Sequence, residues 1–294
     1  MKILVVGRKS WETDALMESL QELRHVAYQS DFPFLFFDFD ASGSRVFDSK
    51  NKVDISHYDA VIPRAPGPYY PQLQALVDYC MGFDIPVINE EAIINMPRYS
   101  KFYQHMAFVK HAVPFVPTFA CGIAKFTEIM GVQGYPCIIK KFEGGLGAGV
   151  KIARNRLEAD YIMNQFDRTD DVLIQKYIPI ERDYRIVVVG NDVVGGMIRE
   201  KPENSHLTNA TGIDPSYQKP IGQIPPGMSA LALQAARALK CDTAGVDIAI
   251  ANGEMYVFEV NLFYGFRRFS EVTQFKTAES IVRLLEMNYQ IRGR

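Results

Sequence analysis

The chain has 294 residues, enough for a large core and two or three packed subdomains, and its 22% charged residues and formal net charge of -2 are those of an ordinary globular protein. Neither a basic excess suited to nucleic acid nor an acidic block typical of a disordered tail is present, so no nucleic-acid partner is expected. No apolar run could span a bilayer, "MKILVVGRKS" is too short for a secretory signal, and Cys80, Cys121, Cys137 and Cys241 lack CxxC or Cys/His spacing, so the expectation is a cytoplasmic protein with reduced thiols and no membrane partner.

In chain order, "KILVVG" reads as a buried strand ending in Gly7, followed by an amphipathic helix over 12–24. "YDAVIPRA" supplies a second strand, "PQLQALVDYCMGF" a helix and "IPVIN" a third strand, which together predict a small open parallel α/β domain over 1–96. The acidic aromatic stretch "SDFPFLFFDFDASGS" fits neither period and is assigned as strand plus loop. A helix in "RYSKFYQHMAFVKHA" and an edge strand or linker in "VPFVPTFACG" open a central unit over 97–180. "PCIIKKFEGGLGAGVKIA" reads as strand, Gly-rich turn, strand, and "VLIQKYI" as another strand. A C-terminal unit over 181–294 contains the hairpin "YRIVVVGNDVVGGMIRE", a helix near 228–239, a last hairpin "AGVDIAIANGEMYVFEVN" and a helix over about 276–290.

The last hairpin raises a chemical question, because the apolar strand "MYVFEVN" contains Glu259 and Asn261. Alternation places Val257, Glu259 and Asn261 on one face and Phe258 and Val260 on the other. A two-residue Asn252-Gly253 turn would send Asp247 to the face opposite Glu259. The apolar pattern of Val246, Ile248 and Ile250 requires instead an odd-length loop, or a bulge at Gly253; the odd loop is the expectation. It gathers Asp247, Glu259 and Asn261 on one polar face. A buried Glu needs a cation, and three hard oxygen donors suit Mg²⁺ completed by water and phosphate, not zinc. A plain solvent-facing hairpin side is the alternative.

"EGGLGAGV" (143–150) lacks the GK[ST] of a Walker loop and the context of a dinucleotide fingerprint, yet its glycines could bring backbone N–H groups to phosphate oxygens. Lys140 sits on the preceding strand where a phosphate contact would be wanted. Asp183 and Arg185 lie two apart on one face, as an ion pair or a substrate contact. None of the five histidines has triad or i,i+4 context, and no nucleophile elbow is present.

In their order, the Lys-bearing strand, Gly-rich flap, "QKYI" strand, "DYR" strand and terminal Asp…Glu-x-Asn hairpin resemble the ATP-grasp superfamily, and within it RimK-type ligases, which join amino acids such as glutamate to a protein or peptide carboxylate. "VIPRAPGPYY" and "PVINEEAI" resemble that family's N-terminal domain and the lead into its central domain, and "PCIIKKFEGGLGAGV", "ALKCDTAGVDI" and "VFEVN" its ATP-grasp core, so the resemblance covers nearly the whole chain. It implies an α/β N-terminal domain followed by an α+β ATP-grasp core in three subdomains. It also implies ATP with two Mg²⁺ ions, for which Mn²⁺ could substitute. Lys101 and Lys140 would contact phosphates, and Gly144, Gly145, Gly147 and Gly149 would fold over them. Lys176 and Tyr177 would line the adenine pocket by their backbone, with Asp183 near the ribose. Asp247, Glu259 and Asn261 would hold the metal, while Arg199 and Asn209 would face the transferring phosphoryl group. The partners would be a carboxylate acceptor (peptide, protein or small molecule) and an amino-acid donor. The family's dimers and tetramers leave a homo-oligomer open.

The chain departs from the family pattern in Leu262, Phe263 and Tyr264 before Gly265, and in "LTN" where an Arg is usual. Arg267 and Arg268 then offer a carboxylate clamp for an acidic substrate, or a solvated turn. The expected activity is amide formation through an acyl-phosphate. A peptide-tailoring ligase making side-chain ester or amide crosslinks is the alternative within the class. A non-catalytic nucleotide sensor is the alternative outside it; its signature would be a lost metal ligand, and all three are present. A dinucleotide-dependent oxidoreductase is disfavoured because "VVGRKSWETDA" lacks the glycine fingerprint.

Overall fold

Strand β1 (Lys2–Val6) is apolar at four of its five positions because both of its faces are covered: Leu4 and Val6 enter one hydrophobic cluster, Ile3 and Val5 another. The computed structural model of the chain describes residues 1–41, 43–96, 101–141, 150–167, 170–202 and 214–293. Helix α1 (Trp11–Glu22) follows; Ser10 caps it, accepting from the Thr13 backbone while the Thr13 hydroxyl accepts from the Ser10 N–H. Strands β2 (Val26–Ser30), β3 (Leu35–Asp40), β4 (Gly43–Asp48), β5 (Val53–Asp54) and β6 (Ala60–Pro63) come next. The parallel sheet has the order β2-β1-β6, and β3-β4-β5 form a separate antiparallel sheet.

Two expectations change here. The acidic aromatic stretch forms most of a two-stranded hairpin, Phe36 pairing with Phe47 and Asp38 with Arg45. "IPVIN" contributes only a single parallel bridge, Val61 to Val87. The chain turns away at Asn89, which adopts a left-handed φ of 64° and whose side chain bonds the backbone of Thr243 and Leu262.

Helices α2 (Tyr70–Gly82), α3 (Glu90–Asn95) and α4 (Lys101–Lys110) lead to a four-stranded antiparallel sheet of order β7-β10-β8-β9, made of β7 (Thr118–Gly122), β8 (Cys137–Lys141), β9 (Val150–Ala153) and β10 (Asp171–Lys176). Helices α5 (Phe126–Gln133) and α6 (Arg156–Met163) cover it, and the three elements share a cluster running from Phe126 to Ile174. The expected edge strand in "VPFVPTFACG" is β7. A five-stranded antiparallel sheet then follows, of order β13-β12-β11-β14-β15, from β11 (Arg182–Val189), β12 (Asp192–Glu200), β13 (Gln218–Pro220), β14 (Thr243–Ala251) and β15 (Glu254–Asn261). Helix α7 (Met228–Ala238) precedes β14, and α8 (Arg267–Thr273) and α9 (Thr277–Ile291) end the chain.

The N-terminal and C-terminal parts share their cores. Ile3, Val5, Leu16 and Leu20 pack with Val187, Phe266, Phe269, Ile281 and Leu285. Phe108 of α4 joins Val246, Ile248, Val257 and Val260, so this helix packs on the C-terminal sheet although it lies in the segment assigned to the central unit.

The last hairpin corrects the expected register. Asn252 and Gly253 form a two-residue turn with φ of 54° and 81°, flanked by Ala251 opposite Glu254. The odd loop is therefore absent, and the extra residue is Phe258, a bulge inside β15: Ile248 faces Val257 while Asp247 faces Glu259. Val257 thereby joins Val260 on the core face, not Glu259 on the polar one. The bulge still gathers Asp247, Glu259 and Asn261 on one side, with Val246 and Ile248 in the core, whereas Ile250 is exposed and Phe258 only partly buried.

Candidate active site

The site grows from four neighbouring strands of the C-terminal sheet, β12, β11, β14 and β15. Cross-strand pairing sets Asp183 against Arg199, Arg185 against Asp247, and Asp247 against Glu259. Directly opposed side chains on one face are close enough to interact; the first two pairs are of opposite charge, whereas Asp247 and Glu259 set two carboxylates side by side. Arg185 grips Asp247 with two hydrogen bonds, Nε to Oδ1 and Nη2 to Oδ2, the second 2.9 Å long. Arg199 holds Asp183 with two bonds of 2.7 Å, and its Nη2 also reaches Asp247 at 3.0 Å. Burial alone would raise the Asp247 carboxyl, but Arg185 and Arg199 hold it below its ordinary value. Burial alone would lower Arg199; Asp183 and Asp247 more than reverse that.

These partners place three of the expected residues. Asp183 is paired with Arg199, not with Arg185. Arg199 faces the two aspartates and so orients Asp247. Arg185 is likewise a holder of Asp247.

Glu259 stands apart from the arginines. It is partly exposed, and Lys101 Nζ lies 4.0 Å from its Oε1. Lys101 is placed there by its helix: three residues on, the buried Gln104 donates to the Val260 carbonyl and accepts from the Val260 N–H, both at 3.1 Å. Nothing in the sequence singled out Gln104, because its role as a surrogate strand exists only once α4 lies on β15. Lys140 enters the same field from β8. Burial, then the neighbouring Lys101 charge, lowers it to about 8 against the pull of Glu259. Two lysines and a carboxylate from three elements thus converge.

Asn261 Nδ2 lies 3.4 Å from both the Gly245 carbonyl and Asp247 Oδ2. Gly245, opposite Asn261, leaves room for this packing: a Cβ there would lie 2.9 Å from Arg185 Cδ and from Tyr264 Cβ. The donor set of two carboxylates and one carboxamide fits Mg²⁺, which takes few protein ligands and fills its octahedron with water and phosphate oxygens. No cluster of three His, Cys, Asp or Glu suited to a metal occurs among the described residues.

Other assignments fall elsewhere. The N–H groups of Lys176 and Tyr177 bond the carbonyls of Pro117 (3.2 Å) and Pro136 (3.3 Å), so these two amides are engaged within the protein. Arg267 and Arg268 belong to α8 and both pair with Glu271; Arg268 also donates to the Gln218 carbonyl. These partners lie on α8 and β13. Gly144, Gly145, Gly147, Gly149 and Asn209 lie outside the described residues.

Comparison with known proteins decides the family. Residues 119–285 match the RimK-like ATP-grasp domain. The chain belongs to the RimK-like ATP-grasp family. It is 28% identical over 302 residues to the ribosomal protein bS6–L-glutamate ligase of Escherichia coli, covering 97% of this chain and 96% of that one. Among solved structures, a RimK-domain ATP-grasp protein from Sphaerobacter thermophilus superposes with a TM-score of 0.71 at 18% identity, over 97% of this chain and 100% of that one. PsnB, an ATP-grasp ligase solved with a phosphomimetic variant of its minimal precursor, Mg and ADP, gives 0.72 at 16%, over 97% and 98%. This RimK-like chain is thus an ATP-grasp enzyme of the carboxylate–amine ligase class, forming carbon–nitrogen bonds. Among the described residues no helix is long and apolar enough to cross a membrane.

Proposed function

We propose that the enzyme joins an amino acid such as glutamate to a carboxylate of a peptide, protein or small molecule, through an acyl-phosphate. The observation that carries this is the meeting of Glu259, Lys101 and Lys140 beside the arginine-held Asp247. Such a surface matches the demands of phosphoryl transfer, which needs placement and charge neutralisation more than a protein nucleophile. The bS6-modifying relative favours a protein or peptide acceptor and glutamate as donor.

In the first step a carboxylate oxygen of the acceptor forms a bond to the γ-phosphorus of ATP. The bond to the bridging oxygen breaks, and ADP leaves with the electron pair. In the second, the amine lone pair attacks the acyl carbon, inorganic phosphate departs and the nitrogen loses a proton, leaving an amide. Lys101 and Lys140 balance the phosphate charge, and Lys140, held near 8, is set to take up a proton as a phosphate arrives. Arg185 and Arg199 keep Asp247 ionised and aimed. Asp247, Glu259 and Asn261 would hold Mg²⁺, which supplies charge neutralisation on the phosphates.

The test is ADP release from Mg·ATP with each amino acid supplied singly, with and without a desalted cell extract as acceptor source. Amino-acid-dependent ADP, followed by one ¹⁸O passing from labelled acceptor carboxylate into phosphate, is the expected result. Tight ATP binding with no ADP under any condition would favour the sensor, and ester or amide crosslinks within one precursor peptide would favour the tailoring ligase.

A further inference from the structure

Gly7 ends β1 and Arg64 follows the end of β6, side by side at the carboxyl edge of the parallel sheet. β1 is the middle strand, with β2 on one side and β6 on the other. In open parallel sheets, ligands settle in the crevice outside the carboxyl ends where the strand order reverses in this way. Gly7 allows the close approach found here: with φ of 153°, a Cβ would lie 2.4 Å from the Arg64 carbonyl oxygen. The next residue, Ala65, holds φ of 28°, a conformation a residue with a side chain rarely adopts.

Arg64 is 6% exposed, yet no carboxylate among the described residues forms an ion pair with it. Its Nη2 donates to the Tyr264 carbonyl at 2.7 Å, and its guanidinium carbon lies 5.2 Å from the centre of the Phe266 ring. Its Nε is buried with no acceptor among the described residues. Burial lowers its pKa, while Tyr264 and Glu12 pull the other way; the nearer claim on Glu12 is the Arg267 N–H, at 3.4 Å. A buried cation in this condition is costly. Arg185 and Arg199, by contrast, each hold a carboxylate. Arg64 is also tied to the polar face: Tyr264, whose carbonyl it holds, packs 2.9 Å from where a Gly245 Cβ would stand, and Gly245 faces Asn261.

Building on the ligase function above, we propose that Arg64 is a carboxylate-binding residue, its guanidinium fork receiving a carboxylate carried by one of the two molecules being joined. A carboxylate at the Nε edge satisfies the orphan donor and neutralises the charge in one contact. Phosphate is the poorer match, because Lys101 and Lys140 already serve that group. The carboxylate belongs either to the free amino acid or to the acceptor, and these sources are separable.

The single tryptophan provides a readout independent of turnover. Trp11 meets Phe266 edge-on at 5.8 Å, and Arg64 lies over that same ring. The full chain is titrated with each free amino acid, and separately with a short glutamate-ended peptide, with and without Mg·ADP, while Trp11 emission is followed. Each responding ligand is repeated as its carboxamide counterpart. The expected result is a saturable shift with one carboxylate ligand, at least tenfold weaker binding of its carboxamide, and at least tenfold weakening in Arg64→Met. Mg·ADP affinity stays within twofold. Whether the amino acid or the peptide responds identifies the source.

Equal binding of carboxylate and carboxamide would overturn the assignment. So would variants that bind the carboxylate within twofold of the unsubstituted chain, or a joint loss of nucleotide affinity and folding stability, which would reduce Arg64 to a clamp on Tyr264. If Arg64→Met fails to fold, Arg64→Lys and the carboxylate–carboxamide comparison decide. A chain that binds Mg·ADP but answers to no carboxylate overturns the Arg64 site alone. A carboxylate response in a chain that binds no nucleotide overturns the ligase function and leaves Arg64 standing.

Discussion

Gln104 completes the edge of the C-terminal sheet by exchanging two 3.1 Å hydrogen bonds with the backbone of Val260, as a neighbouring strand would. Val260 lies between Glu259 and Asn261, so this one side chain fixes the strand that carries both of these residues and the helix that carries Lys101. Gln104→Leu should cost on the order of 2 kcal/mol, the worth of two buried hydrogen bonds, by urea denaturation. It should also weaken Mg·ATP binding several-fold by releasing Lys101. Unchanged nucleotide affinity would show that α4 is held by Phe108 and its apolar neighbours alone.

Arg199 joins two aspartates that are each 2% exposed. Removing it leaves buried carboxylates with too little compensation, which typically costs about 3–5 kcal/mol. Arg199→Met should therefore destabilise strongly, and Asp183→Leu combined with it should restore part of the loss. A double-mutant cycle of denaturation midpoints measures this coupling; simple additivity would mean that the pair contributes no interaction of its own.

The pH dependence of Lys140 has a definite sign. Its folded value, about 8, lies below its ordinary value of 10.5. Between these limits the unfolded chain binds more protons, so the stability of the nucleotide-free protein should rise as pH increases from 8 to 10.5. A bound triphosphate should reverse the shift and drive proton uptake near pH 8.5. Calorimetry in buffers of different ionisation heat should detect that uptake in the unsubstituted chain and not in Lys140→Met. Equal uptake in both would assign the proton to another group.

Gly245 has little room for a side chain. A Cβ would press on Tyr264 Cβ, which cannot swing aside, and on Arg185 Cδ, both at 2.9 Å. Gly245→Ala should cost about 1–3 kcal/mol and raise the Mg²⁺ concentration needed for half-maximal turnover, since Arg185 holds Asp247. A variant with native stability and native Mg²⁺ response would show that Tyr264 relocates freely.

Periodicity alone brought Asp247, Glu259 and Asn261 together, because Val246, Ile248 and Val260 could reach one core only in that arrangement. It could not locate the irregularity, since an extra residue at Phe258 and an odd turn at Gly253 satisfy the same apolar pattern. The strands of the central sheet were legible from "PCIIKK" and "VLIQKYI", where both faces are apolar or nearly so. "VAYQS" was missed as β2: it is more exposed at its start and carries no clear alternation. The ion pairs were legible as residue types but not as partners. Asp183 and Arg185 are neighbours in sequence on one face, yet each finds its opposite across the sheet, a choice set by register and not by spacing.

Mg·ATP is proposed to act on the face carrying Glu259, and ADP release from Mg·ATP in Glu259→Ala beside the unsubstituted chain, with thermal melting of both, puts that face to the test. Because Glu259 is partly exposed and its contact with Lys101 is 4.0 Å, the variant should melt within a few degrees of the original and release no ADP above background. Full turnover in a folded Glu259→Ala protein would contradict the account and remove the polar face of β14 and β15 from the chemistry.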